Sequence, residues 1–276
     1  MKRTITLLSI LFLMFASCTK DNENSQNQES TILPKKIIKT EGTNTYELIL
    51  SYNENKILEE NNSLDNYKYV YTYTDDLITK KILFKGNIII NVDEYIYDNG
   101  KVKNIITTKN SIDKITGVIT TYKSKTIYSD NTNGTITEQN YSIDSVTGIE
   151  TKLPENRILT YANGNLVKEV KNSLSYNTIT YKYTYLYEYD NNKNPFKNIL
   201  GLNKISSNSD VSSSNNVIKT TTLSESSKGS TIVLYPNIYT TYETKYSTNS
   251  YLKENKYSYS DGNGGLETYT TQYFYE

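Results

Sequence analysis

The chain has 276 residues, with 30 Lys and Arg against 30 Asp and Glu, no His, no Trp, one Cys and 28 Tyr. Without imidazole there is no Ser-His or Cys-His nucleophile pair and no His-ligated metal, and a single thiol can neither close an intrachain disulfide nor build a Cys-rich site. Balanced charge without long basic runs also leaves no electrostatic footprint for nucleic acid.

Residues 1–17 have the three regions of a secretory signal peptide. Met1-Lys2-Arg3 is positive, residues 5–16 are apolar apart from Thr6 and Ser9, and small residues close the segment. The apolar run is well short of the roughly 20 residues that cross a bilayer as a helix. Ala16-Ser17-Cys18 resembles the lipobox of bacterial lipoproteins, with Phe15 where Leu is usual. The resemblance implies that Cys18 becomes the first residue of the mature chain and carries lipid, anchoring it to the outer membrane. Residues 18–30 are expected to form the lipidated Cys and a flexible tether, because residues 19–30 contain no apolar side chain to offset the entropy of ordering. The order Cys18-Thr19-Lys20-Asp21-Asn22-Glu23 is similar to the Lys/acidic export signal of Bacteroidota lipoproteins, which implies the cell surface. A periplasm-facing anchor is the alternative.

Residues 31–276 read as one all-β domain. Large residues recur with period two at Tyr46, Leu48, Leu50, Tyr52, then at Tyr67, Tyr69, Tyr71, Tyr73, again from Tyr181 to Tyr189, and finally at Tyr269, Tyr273 and Tyr275. Turn clusters separate them: Asp75-Asp76, Asp98-Asn99-Gly100, Asn133-Gly134, Asn163-Gly164, residues 190–195 and residues 261–265. The recurring unit is an aromatic strand, a polar turn and an apolar or charged strand. Its closing tyrosines are Tyr52, Tyr73, Tyr97, Tyr161 and Tyr189, with looser copies ending at Tyr128, Tyr246 and Tyr259. Short connections of this kind predict an antiparallel meander of roughly 14–18 strands, more than an open twisted sheet holds without curling. Tyr offers apolar area with a hydroxyl that tolerates water, so the sheet is expected to stand without a conventional Leu/Ile core. The opposite face carries Lys182, Thr184 and Glu188 where a lipid-facing strand needs apolar residues. A curled, barrel-like and water-soluble sheet is expected.

Tyr-Asp-x-x-x-Asn-Pro-Phe at residues 189–196, Ser214-Asn215-Asn216-Val217 and the terminal aromatic hairpins resemble a Bacteroidota lipoprotein family. That family is a domain of unknown function described as porin-like in fold, and the resemblance covers residues 31–276. The shorter Tyr-Asp-x-Gly pattern at residues 97–100 is also similar to the YD repeats of large secreted shell proteins.

Carboxylates are the only acid/base groups left near neutral pH, so a two-carboxylate glycosidase is the one conventional hydrolase still open, with Asp98, Asp190 and Asp261 as its conspicuous residues. Each begins a turn, where Asp is favoured for its backbone hydrogen bonds, and the turn role is preferred. Asp190-x-Asn192-x-Asn194 and Asp261-x-Asn263 have the alternation of a calcium loop, but Pro195 stands where an EF-hand has Gly and Gly201 where it has Glu. No catalytic residue, metal site or cofactor is therefore assigned. Asp144-Ser145-Val146 matches the pattern for O-glycosylation in Bacteroidota, making Ser145 a candidate for modification. The expected function is a non-enzymatic, surface-exposed lipoprotein that binds an extracellular glycan or another envelope protein, without a nucleic-acid partner. The alternative is a structural or assembly lipoprotein with no small ligand of its own.

Overall fold

The computed structural model describes residues 32–275 apart from 65, 114, 175–178 and 261–265; Cys18, the leader, the tether and Asp261 lie outside the described residues. The elements are β1 (Pro34–Glu41), β2 (Asn44–Asn53), β3 (Lys56–Asn62), β4 (Tyr67–Thr74), β5 (Leu77–Lys85), β6 (Ile88–Asp98), β7 (Lys101–Ile112), β8 (Ile119–Asp130), β9 (Ile136–Ile143), β10 (Glu150–Ala162), β11 (Asn165–Leu174) and β12 (Thr180–Tyr189). After two four-residue helices, α1 (Leu202–Ile205) and α2 (Ser209–Ser212), come β13 (Val217–Lys228), β14 (Thr231–Leu234), β15 (Ile238–Thr241), β16 (Glu243–Tyr246), β17 (Leu252–Ser260) and β18 (Leu266–Tyr275). All 18 strands belong to one antiparallel sheet, the meander that the alternation predicts.

The sheet curls until its ends meet. β1 pairs with β2 along one edge and with β18 along the other. β14 and β15 both pair with β13, β16 pairs with β17, and Tyr242 N–H donates to Ile218 O at 3.0 Å between them. These three short strands therefore act as one stave broken at Pro236, which has no N–H to give. Among the described residues no ladder joins β14 or β15 to β17, so a slit remains and the sheet stops short of a closed barrel.

The two ends differ. At one end lie the tight turns, among them Asn99-Gly100 (φ 51° and 74°) and Asn163-Gly164 (φ 51° and 76°), whose successive positive φ angles are those of type I′ hairpins. Residues 190–216, between β12 and β13, fold inward at this end as a plug. Leu200 N–H donates to Asn55 O at 2.9 Å, Ser214 N–H to Gly164 O at 3.1 Å and Lys193 N–H to Ser250 O at 3.0 Å, so the plug is stitched to three turns. Gly201 (φ +74°) lies so close to the β4–β5 turn that a Cβ would meet Asp76 O at 3.1 Å.

Here the structure departs from a scaffold of tyrosine alone. Ile37, Leu48, Leu50, Ile57 and Ile78 of the wall bury against Ile199 and Leu202 of the plug. The plug supplies the second apolar layer that a single curled sheet lacks. Around it, tyrosine hydroxyls clasp backbone. Tyr52 donates to Pro34 O (2.7 Å), Tyr97 to Ile78 O (2.7 Å), Tyr189 to Leu166 O (2.6 Å) and Tyr275 to Leu252 O (2.5 Å). In the hairpins closed by Tyr52, Tyr73, Tyr97 and Tyr161 the register shifts by one residue just beyond the aliphatic partner, a bulge that adds twist where the wall must bend.

The outer face is laced with ion pairs across neighbouring strands, including Lys80–Glu94 (2.9 Å), Lys182–Glu225 (2.9 Å) and Lys219–Glu188 (2.6 Å). Such pairs add little stability in water but make a wall unsuited to lipid contact.

Candidate functional site: the plugged lumen

Inward residues of the wall and the upper surface of the plug enclose a polar cavity of ≈ 640 Å³. Its wall includes Lys81 on β5, Asp93 on β6, Arg157 on β10, Glu169 on β11 and Tyr187 on β12; its floor is residues 205–210. This volume lies within the roughly 300–1,000 Å³ usual for small-ligand sites.

Arg157 ties floor to wall. Its Nε donates to Glu169 Oε1 at 2.7 Å, Nη1 to Glu138 Oε2 at 3.1 Å and to Ser207 Oγ at 2.8 Å, and Nη2 to Ser207 O at 3.3 Å. Burial opposes its charge, but the bonds and fields of Glu169 and Glu138 outweigh that and raise its pKa further. The Ser207 hydroxyl in turn donates to Glu138 Oε2 at 3.1 Å. Tyr128, Ser206 and Ser207 also border a second hollow of ≈ 370 Å³ that reaches Asp98 and Gly100 at the plugged end. These residues are the partition between the two spaces.

A second charge cluster lies on β3–β6. Burial raises the Glu60 carboxyl above its ordinary range, opposed by Lys81, Lys39 and a hydrogen bond from Tyr71. Burial likewise lowers the Lys81 ammonium, opposed by Glu60 and Asp93. The Lys81 ammonium sits 4.1 Å from the centroid of the Tyr69 ring. Asp93 Oδ1 accepts from Thr107 Oγ1 at 2.8 Å and Asn91 Nδ2 at 2.9 Å. On the plug, Asp210 lines the cavity as an exposed residue, yet its carboxyl is crowded by surrounding protein. That enclosure pushes its pKa up, against the pull of Lys39.

Above the floor the lumen is aromatic. Tyr181 and Tyr183 stack on β12 with centroids 6.3 Å apart and planes at 12°. Across the slit side, Tyr242, Tyr257, Tyr269 and Tyr259 form a chain of ring contacts at 5.1, 5.2 and 5.4 Å. Ring faces with flanking hydroxyls, amides and charges can hold a flat-faced, hydroxyl-rich ligand by stacking and hydrogen bonds.

The residues singled out from the sequence lie elsewhere. Asp98 is in its turn, where Oδ1 accepts from Asn99 Nδ2 at 3.1 Å. Asp190 latches the plug: its Oδ1 accepts from Asn192 N–H at 3.1 Å and Asn216 N–H at 3.0 Å, and its Oδ2 accepts from the Tyr246 hydroxyl. Asn194 Oδ1 accepts from Phe196 N–H at 2.8 Å. The 190–194 alternation thus serves backbone and side-chain partners inside the plug. Among the described residues no three His, Cys, Asp or Glu cluster as metal ligands. Ser145 is exposed in the β9–β10 connection, at the end away from the plug, beside Asp144, whose Oδ1 accepts from Val146 and Thr147 N–H at 3.0 and 2.7 Å. Sequence reasoning missed Glu60, Asp93, Glu138, Arg157, Glu169 and Asp210. One signal was available: Arg157 is the sole arginine beyond Arg3 in a lysine-rich chain, and a lone Arg points to a fork-shaped contact that Lys cannot make.

A curled antiparallel meander of this size with a polar interior has a counterpart among solved structures. A porin-like protein from Bacteroides vulgatus superposes with a TM-score of 0.56 at 11% identity, over 89% of this chain and 99% of that one. The fold is porin-like. A second porin-like protein, from Bacteroides uniformis, aligns over 88% of this chain and 98% of its own at 12% identity, with a TM-score of 0.47. No protein-family model matches the sequence, and no curated protein does. At this identity the porin-like likeness is one of architecture.

Proposed function

We propose that the protein is a non-enzymatic lipoprotein of the cell envelope whose lumen receives an extracellular glycan. One observation carries this reading: a polar floor held by Arg157, with tyrosine rings above it on the β12 and β17–β18 walls. Sugar rings offer apolar faces for the aromatic rings and hydroxyls for the floor. The porin-like architecture and the N-terminal pattern support an envelope location, with Cys18 lipidated and the domain facing outward. The water-suited outer wall supports a domain held beside the membrane by its lipid. A structural or assembly role is favoured by a different observation, the bare apolar strand β14.

The test is a glycan array probed with the full chain, followed by titration of a hit against Tyr183→Ala and Tyr257→Ala. Each substitution should weaken binding about tenfold or more, as loss of an aromatic contact of about 0.5–1.5 kcal/mol plus its buried area requires. An array without hits, or a hit whose affinity ignores both substitutions, refutes the lumen as the glycan site.

A further inference from the structure

Residues 230–242 contain no charged side chain. The neighbouring β13 and β17 carry Lys219, Glu225, Glu254 and Lys256 in cross-strand ion pairs. Within the neutral stretch, β14 is exposed at all four positions, although a strand in a curled sheet hides alternate residues. Ile232 is 65% exposed, Val233 48% and Leu234 74%, so both faces of the strand lack cover. Among the described residues the one ladder its backbone joins is that with β13. Natural sheets guard such an edge with Lys, Pro or a bulge. Here Pro236 comes only after the strand has ended.

We propose that β14 pairs with β14 of a second copy of this chain, antiparallel about a two-fold axis. A row of alternating N–H and C=O groups at strand spacing is matched by another extended backbone, which neither a sugar nor a lipid supplies. With the axis at Val233, Ile232 faces Leu234 of the second copy and Val233 faces its own equivalent. Aliphatic then meets aliphatic at Ile232, Val233 and Leu234, Thr231 faces Tyr235 of the second copy, and no like charges are opposed. The contact is isologous, so it closes at two copies. Among the described residues β17 pairs with β16 and β18 and not with β14.

Single cysteines at Ile232, Val233 and Leu234 in the full chain test this, Cys18 being the only other cysteine. Opposed residues of antiparallel strands lie about 4.5–5.5 Å apart at Cα, within disulfide reach. Upon mild oxidation of cells, Val233→Cys, which faces its own equivalent, should yield a covalent homodimer several-fold above Ser51→Cys, an exposed control on β2, and above Ile232→Cys and Leu234→Cys, which face each other rather than themselves. The parent chain should stay at baseline. The detergent-extracted parent should sediment as a dimer and Val233→Lys as a monomer. The proposal is overturned if Val233→Cys does not exceed the Ser51 control, if the cross-link joins a different protein, or if Val233→Lys leaves the dimer intact.

Discussion

Asn194 is 2% exposed and speaks for the whole plug. Its Nδ2 donates to Asp210 O at 2.7 Å and Asn215 O at 3.3 Å, and its Oδ1 accepts from Phe196 N–H at 2.8 Å. Asn194→Ala removes the side-chain partner of all three backbone groups at a buried position. Each unsatisfied buried group costs about 1–3 kcal/mol, and members of one network share rather than add their effects, so a loss of about 3–5 kcal/mol is expected. Urea unfolding followed by tyrosine emission measures it, with Asn191→Ala, an exposed neighbour, expected within about 0.5 kcal/mol of the parent. Limited proteolysis adds a local readout, since a loosened plug should be cut within residues 190–216 before the wall unfolds. Parent-like stability and parent-like protease resistance in Asn194→Ala would show that the polar latch does not hold the plug.

Arg157→Met leaves Glu138 and Glu169, whose side chains are 8% and 11% exposed, facing each other without their shared cation. The loss should approach the roughly 3–5 kcal/mol of a broken buried pair; urea unfolding that shows a loss below about 1 kcal/mol would contradict this. The tyrosines set the alkaline limit. Burial pushes Tyr73, Tyr97 and Tyr257 up to about 12. A phenol whose folded pKa is raised keeps a proton that the unfolded chain gives up, so its stability is intact below the unfolded pKa of about 10 and is lost as pH climbs toward the folded value. Phenolate absorbance should therefore appear in two stages, exposed rings first and buried rings together with unfolding by circular dichroism. A single stage near the ordinary pKa with native dichroism would refute it.

Much of the wall was legible because its period is two and its turns use Asn, Asp and Gly. Tyr52, Tyr73, Tyr97 and Tyr161 close their hairpins as the repeat suggests, and Asn99-Gly100 and Asn163-Gly164 adopt the backbone their composition favours. The plug was not legible. Ile199, Leu202 and Ile205 are spaced as one helical turn, but helices of four residues leave no amphipathic stripe to find. Residues 190–195 read as a turn because the sequence shows Asp, Asn and Pro in a cluster, whereas Asp190 and Asn194 make contacts with residues 196–216 and 246 that no local pattern encodes. The lumen charges were hidden for a related reason: Glu60 and Glu169 sit on strands among Lys and Glu that face outward, and only the bulges decide which of them turn inward.

The pairing of Pro34 with Tyr275 has a kinetic consequence. The first strand of the wall acquires its second neighbour only from the last, so the β1–β18 seam cannot form until nearly the whole wall has been synthesised. Contacts so distant in sequence are slow to form. The plug, joined between β12 and β13, is synthesised before β18 and can be enclosed as the wall comes round. Closure of this seam is thus timed by β18, and a chain lacking that strand would leave β1 with β2 as its one neighbour in the wall.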